Sequence, residues 1–443
     1  MLELDAYLDG APIGQVTQSD GGAIGFAYSD EYLAHRSTPL SLSMPTERVK
    51  HGNKVAKAFI AGLLPDSEGR LKALATRYQV NWKNPVALLR HIGSDAAGAI
   101  QLLPSGGESS DAASRQGDVT IHSEDEFAWM ISEIIRNKDT WAASQGRGKW
   151  SLPGAQPKVA LFRTAQGEWA TPNDSTPTTH ILKPSIAPYS DHHINEFMTM
   201  AAARHLGLEV ARDEVIRTAA GDHVFVSHRY DRELRDGVWH RLHQEDLCQA
   251  LSVMPDQKYQ VDGGPSVKQI ARLLGGLSDR ADRQSASRSF YQALVFNVAM
   301  QGTDAHAKNY SLMLSGDEVK LAPLYDLGSH AAYPPVNASS LELAMSIDGE
   351  YRIDAVGAEQ LVMAARSLGI DEGEARETAE AFFARTAEAF AIAGDQARQL
   401  PGLRDEGSRR FISRLVDATA EYAAARGWLE RATIVPLRPT TQS

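Results

Sequence analysis

Between Gln301 and Asp326 the chain reads QGTDAHAKNYSLMLSGDEVKLAPLYD, and this stretch concentrates the residues best suited to chemistry. Asp304 and Asn309 stand close together with His306 between them, and a second carboxylate, Asp326, follows a hairpin-like segment. Transfer of a phosphoryl group from a nucleotide to a hydroxyl needs such a set. One carboxylate orients and deprotonates the acceptor, while an amide and another carboxylate hold Mg2+ against the phosphates. The D-x-x-x-x-N spacing is that of kinase catalytic loops. Taken alone, an Asp-His-Asn cluster also fits a capped turn or a satisfied polar patch, so the rest of the chain has to supply a nucleotide site.

Four upstream features occur in the order such a site requires. Gly146, Gly148 and Gly154 lie beside basic residues just before an apolar strand, Val159 to Phe162, where backbone N–H groups can approach phosphate closely. This is not a Walker A loop, because Gly148-Lys149 runs into Trp150 and the earlier glycine position is Ala143. An ordinary hairpin fits the same glycines. Ser151 inside the turn is a candidate phosphoacceptor or a plain surface serine. A strand, His180 to Lys183, ends in a lysine that can pair with the α/β-phosphates, and Glu196 is expected to open a helix ended by Gly207. Lys183 and Glu196 thereby qualify for a lysine–glutamate ion pair, or separately for a solvated lysine and a helix-start glutamate. Finally, strand Val224 to Ser227 runs into His228-Arg229-Tyr230-Asp231-Arg232, where backbone groups between lobes grip an adenine.

The remaining elements frame this set. Residues 1–30 alternate apolar and polar types around glycines, predicting hairpins of a small sheet. Helices follow from Lys54 to the stop at Pro65, from the Asp66-Ser67-Glu68 cap through Leu71, Leu74 and Tyr78, and from Val86 to His91. Residues 104–118, rich in Ser, Gly, Asp and Ala, read as a flexible connection, and a helix is predicted over Glu124 to Arg136. Asp236-Gly237 marks a turn, and Gln244-Glu245-Asp246 caps a helix containing Leu247 and Leu251. Helices over Val267 to Leu274 and Arg283 to Val298 come next, the second delivering the chain to Asp304. A Pro-rich loop, 328–340, precedes Ala-rich helices near 355–368, 371–393 and 405–428, and a disordered tail is expected from 434 to 443. The expected organisation is an N-terminal domain over 1–104, a linker and helix over 105–145, a nucleotide-binding lobe over 146–243 and a helical catalytic lobe over 244–433.

Composition bounds the remaining classes. The 443 residues are 43% hydrophobic and 23% charged, as in a globular protein of more than one domain. Forty-five Lys and Arg against 56 Asp and Glu give a net charge of −11, which argues against a chain built mainly for nucleic acid. The single cysteine, Cys248, fits a reducing cytoplasm. The N-terminus lacks signal-peptide regions, and no apolar run approaches the ~20 residues of a membrane span. A serine hydrolase would need G-x-S-x-G, and a zinc site would want grouped His and Cys; neither is present.

The motifs together resemble the HipA family, serine/threonine kinase toxins of bacterial type II toxin–antitoxin modules. The resemblance runs through PLSLSMP (39–45), GLLPDSEGR (62–70), IGSDAAGAIQLLP (92–104), SLPGAQPK (151–158), TTHILK (178–183), RYDR (229–232), QEDLCQA (244–250), TDAHAKN (303–309) and PLYD (323–326). It implies an α+β fold: a bilobal protein-kinase-like (PI3/4-kinase-like) core with a mainly helical C-lobe, plus a small α+β N-terminal domain. It also implies Asp304 as catalytic base, with His306 and Lys308 near the phosphates and Asn309 and Asp326 binding Mg2+. ATP would be surrounded by Pro153, Gly154, Ala155, Gln156, Lys158, Lys183, His228, Arg229, Tyr230, Gln244 and Tyr325. Ser151 matches the serine whose autophosphorylation ejects the Gly-rich loop and switches such kinases off.

The implied partners are a small helix-turn-helix antitoxin of the HipB type and a protein substrate, an aminoacyl-tRNA synthetase such as glutamyl-tRNA synthetase. Its phosphorylation inhibits translation and arrests growth, the state called persistence. Two departures stand out. His228 replaces an expected glutamate, and SIDGEYRID (346–354) lacks a lysine cluster, which confines any operator DNA role to the antitoxin. Because His306 follows Asp304 instead of preceding it, a kinase of small metabolites is the alternative enzyme; a pseudokinase co-repressor is the alternative of another class.

Overall fold

A computed structural model describes residues 1–35, 38–107, 109–140, 150–186, 191–333 and 341–429. The expectations placed on Gly146 and Gly148, on 334–340 of the Pro-rich loop and on the 434–443 tail lie outside these residues. The fold is mixed α and β, and the chain divides into two compact units. The first comprises 1–184, 217–258 and 311–322, and the second 185–216, 259–310 and 323–443.

In the first unit, strands Leu2–Leu8, Ala11–Gln18, Ile24–Tyr28, Lys50–His51 and Ile100–Pro104 form one antiparallel sheet, with Leu2–Leu8 between Ala11–Gln18 and Ile100–Pro104. Alternation buries Leu4, Ala6, Val16, Ile24 and Phe26 on one face, against helices Asn53–Gly62, Glu68–Tyr78 and Pro85–Ile92. Each of the last two starts where a side chain accepts from the first turn, Ser67 from Arg70 N–H and Asn84 from Ala87 N–H. A second sheet sets strands His223–His228, His180–Pro184, Val159–Arg163, Trp169–Pro172 and Val119–Ile121 side by side in that order. Helix Glu124–Arg136 begins in a Ser123/Glu126 capping box. The hairpin Arg232–Arg235/Val238–Arg241 turns at Asp236 and Gly237, both left-handed.

The reading of 104–118 as a flexible connection is corrected. Arg115 donates to both oxygens of Asp9 at 2.7 and 3.1 Å, and Ala112 is buried, so this stretch is pinned to the first sheet by contacts its polar composition does not announce.

The second unit is mainly helical, with helices His192–His205, Val267–Gly275, Arg280–Ala299, Ala358–Ser367, Glu372–Gln399 and Glu406–Ala425. Helix Glu372–Gln399 runs past the expected end at 393 and packs on both His192–His205 and Glu406–Ala425. Glu196 does not open its helix. The helix starts at His192 after Asp191, which places Glu196 in the second turn and buries it. The hairpin Glu342–Ile347/Glu350–Arg352 is held by Gln260, whose side chain accepts from Ser346 N–H at 2.9 Å.

Candidate active site

The turn carrying Asp304 is fixed at both ends by helix Arg280–Ala299. At its start the helix closes in a Schellman arrangement. Gln301 adopts a left-handed conformation (φ 57°), and Gly302 N–H donates to Asn297 O at 2.7 Å. A Cβ on Gly302 would lie 2.5 Å from Met300 Cε and 2.6 Å from Asn297 Oδ1, so any larger residue would push both side-chain ends aside, Asn297 among them. At its far end, Tyr310 accepts from Asn297 Nδ2 at 2.8 Å and packs edge-on against Phe290. One helical residue, Asn297, therefore holds both ends.

Inside the turn, the Asp304 carbonyl accepts from His306 N–H at 2.8 Å and from Asn309 Nδ2 at 2.7 Å. These bonds orient the Asn309 amide so that its oxygen is the atom left for a ligand. The Asp304 carboxylate points outward, with 70% of its side chain exposed. Its Oδ1 accepts from Tyr259 OH at 2.5 Å and lies 4.0 Å from His306 Nε2, whose ring meets Tyr259 edge-on. Asp304 is thus accessible but already engaged by one hydroxyl.

Asp326 reaches the same neighbourhood through backbone. The expected hairpin is present as Ser311–Ser315/Glu318–Leu321. On its return, Tyr325 OH donates to Lys308 O at 2.8 Å, which ties the residue before Asp326 to the residue before Asn309. Leu324 bridges to Val210 in parallel, and Asn195 and Ser329 exchange reciprocal hydrogen bonds at 2.7 and 3.0 Å. Between these clamps Asp326 takes a left-handed conformation (φ 57°). Asp326 also lies beside two residues of helix His192–His205. One donor atom each from His192, Glu196 and Asp326 fall within 4.8 Å of one another. His192 was not anticipated, although the H-x-x-x-E spacing to Glu196 marks one helical face. Tyr259 was not anticipated either, and nothing in its sequence neighbourhood links it to Asp304.

Asn309 and Asp326 offer hard oxygen donors, a set that fits Mg2+. The same neighbourhood holds Lys308, buried, and the half-buried Tyr325.

The other predicted site residues belong to the first unit. Pro153 O accepts from Lys158 Nζ at 2.9 Å, and Gly154 (φ 106°) leaves the space, since a Cβ there would lie 2.5 Å from that ammonium. Gly154 O accepts from Asp66 N–H, Gln156 O from Arg70 Nη2 at 3.3 Å, and Ala155 is exposed. Ser151 is only 1% exposed; its hydroxyl donates to Leu63 O at 2.7 Å and its N–H to Asp95 O at 2.9 Å. Lys183 is buried with Nζ 5.6 Å from the Phe225 ring centroid. His228 pairs across the sheet with His180, their rings 4.3 Å apart. Tyr230 OH donates to Gln244 Oε1, and burial raises its phenol far above the ordinary range. The Arg229 side chain turns inward to Asp231 at 2.9–3.0 Å and to Ala96 O at 2.8 Å. It is thereby committed to the fold.

Residues 4–103 match the family model for the HipA N-terminal domain, and 150–390 that for the HipA-like C-terminal domain. The chain is 35% identical over 433 residues to a Sinorhizobium fredii protein named as a kinase, Y4mE, covering 97% of this chain and 99% of that one. It is 30% identical over 384 residues to the serine/threonine-protein kinase toxin HipA of Shewanella oneidensis, covering 83% and 84%. A solved complex of Shewanella oneidensis HipA with HipB and operator DNA contains a chain that superposes with a TM-score of 0.81 at 25% identity, covering 98% of this chain and all of that one.

Proposed function

The chain belongs to the HipA family of serine/threonine kinase toxins, and from that premise we propose that it is an ATP- and Mg2+-dependent protein serine/threonine kinase acting as the toxin of a type II toxin–antitoxin pair in the cytoplasm. The observation that carries the reading is the junction of the Asp304 turn with Asp326 through Tyr325 OH and Lys308 O. It sets an outward carboxylate, an oriented amide and a second carboxylate on one continuous piece of hydrogen-bonded backbone.

In this reading Asp304 accepts the proton of the acceptor hydroxyl as that oxygen attacks the γ-phosphorus. Asn309 and Asp326 would hold Mg2+, which supplies charge neutralisation on the phosphates. His306 and Lys308 stand near the transferred group. Pro153 to Gln156, Lys158, Lys183, His228 to Tyr230, Gln244 and Tyr325 form the nucleotide site of a bilobal, PI3/4-kinase-like core. The Arg229 guanidinium is spent on Asp231 and Ala96 O, so its part there is to hold the segment in place.

Ser151 is the autophosphorylation site, and its burial means the loop must leave Leu63 and Asp95 before the hydroxyl can react. The N-terminal domain receives a HipB-like helix-turn-helix antitoxin, through which operator DNA is reached. The substrate is an aminoacyl-tRNA synthetase. Among the described residues no helix is long and apolar enough to cross a membrane.

Asp304→Asn tests the reading directly. Transfer from labelled ATP to protein should fall about 10²- to 10⁴-fold while the melting temperature stays put. Undiminished transfer in that variant sinks the assignment. Ser151→Ala should remove autophosphorylation; phosphate mapped elsewhere by mass spectrometry refutes that role.

A further inference from the structure

Helix His192–His205 presents His192 and Glu196 one turn apart, and Asp326 faces both. The His192 Nε2 to Glu196 Oε2 distance is 3.6 Å. Two metal–ligand bonds of about 2.1 Å spanning that gap meet at roughly 118°, close to tetrahedral. The third donor also lies within 4.8 Å, and a tetrahedral set of such bonds brings its donors to roughly 3.4 Å apart, so closing the site takes a side-chain movement of up to about 1.4 Å. The helix also holds the chain just after Asp326. Asn195, next to Glu196, grips Ser329 through two hydrogen bonds, and the His192 ring lies over Gly328, where a Cβ would come within 3.6 Å of Cε1. Glu196 is 1% exposed while His192, about a third exposed, and Asp326 are half-buried, so one ligand is anchored inside and the other two leave a side of the set open to solvent.

The donor types choose the ion. One imidazole nitrogen with two carboxylates suits first-row transition ions, whereas Mg2+ and Ca2+ take oxygen alone. Three protein ligands with an open fourth position is a zinc arrangement that needs no cysteine.

We propose that His192, Glu196 and Asp326 form a site for a first-row transition metal ion of the Zn2+ type, distinct from the Asn309–Asp326 pair but sharing Asp326 with it. An ion held there draws Asp326 away from Mg2+. That consequence rests on the kinase reading, and the binding itself does not. A shared carboxylate makes the site an inhibitory one: rising Zn2+ raises the Mg2+ needed for transfer.

The test uses the full chain freed of metal by chelation and titrated with Co2+, whose ligand-field absorption reports coordination without any assay of activity. Wild type should bind one ion per chain, and His192→Ala should weaken binding by roughly tenfold or more at an unchanged melting temperature in chelator. Glu196→Gln should weaken it similarly. No saturable Co2+ spectrum in wild type, or equal affinity in His192→Ala, overturns the proposal. In the second arm, micromolar Zn2+ should raise the Mg2+ concentration for half-maximal transfer several-fold in wild type and not in His192→Ala. A wild type that binds Co2+ as expected but transfers no phosphoryl group would refute the kinase reading and leave the metal site standing.

Discussion

The Asp95 cluster of the first unit and the Asp304 turn of the second are built from similar polar residues and meet opposite conditions. Asp95 is enclosed. It accepts from Arg232 Nη2 at 2.9 Å, Arg241 Nε at 3.1 Å and Thr178 Oγ1 at 2.6 Å, with Arg229 3.5 Å away. Asp231 completes the cluster, accepting from Arg229 and from Gly98 N–H at 2.7 Å. Burial pushes the Asp95 carboxyl up, but the guanidinium groups of Arg232, Arg241 and Arg229 outweigh it and hold it well below the usual carboxylate range. The cluster welds residues 95–98, 178 and 229–241 together. Asp304 is instead left open, with one tyrosine hydroxyl on it. A carboxylate saturated by protein donors can anchor a fold; one that must take a proton from a substrate has to keep its oxygens available.

The largest expected effect comes from opening the closed cluster. Asp95→Ala would leave Arg229 and Arg232 sharing Asp231 and Arg241 with Asp9 at 3.7 Å, and stability should fall by about 3–5 kcal/mol in urea unfolding. A loss under about 1 kcal/mol would mean the cluster relaxes to water and the contrast with Asp304 is one of degree.

A pH effect of intermediate size should follow from two buried groups near the cluster. Burial raises Glu245, which accepts from Ser41 Oγ at 2.5 Å and Leu42 N–H at 2.7 Å, from 4.5 to about 8. Its raised value gives stability that is full below pH 4.5 and lost as pH rises through about 8, because the folded state keeps a proton the unfolded chain releases. Burial lowers His243 from 6.5 to about 4, and its stability is present above pH 6.5 and lost as pH falls towards 4. Melting temperature should therefore decline on both sides of mildly acidic pH. Glu245→Gln should flatten the alkaline limb only, and an unchanged limb would remove Glu245 as its cause.

The smallest effect belongs to the open site. Tyr259→Phe releases Asp304 from one hydrogen bond of about 0.5–1.5 kcal/mol, so kcat/KM for a protein acceptor should rise a few-fold at unchanged stability. A loss of more than tenfold would make Tyr259 a group that positions Asp304, not one that competes for it.

Some of this architecture was legible in the chain. The capping residues Ser67, Asn84, Ser123 and Asp246 start helices where local rules place them, because a side-chain oxygen two or three residues from an open N–H needs no distant partner. Gly302 ends a helix into the Asp304 turn for a similarly local reason. Other readings failed where long-range contacts decided. Residues 104–118 look like a linker until Arg115 meets Asp9, and no local pattern announces that the Arg229 guanidinium turns to Asp231 with Asp95 nearby. The helix start at His192 was missed because Asp191 makes no side-chain cap bond.

The sequence by itself determined the order of chemical parts: the Gly154 turn, Lys183, Glu196, the Asp304–Asn309 spacing and Asp326, together with the family they mark. Tertiary structure alone decided which of these are open and which are engaged. Asp304 sits under Tyr259, Ser151 is buried against Leu63, and Asp326 lies beside His192 and Glu196. Residue type and spacing set what a group can donate, accept or bind. Exposure and partners depend on segments that meet only after the chain has folded, and no local pattern encodes those meetings.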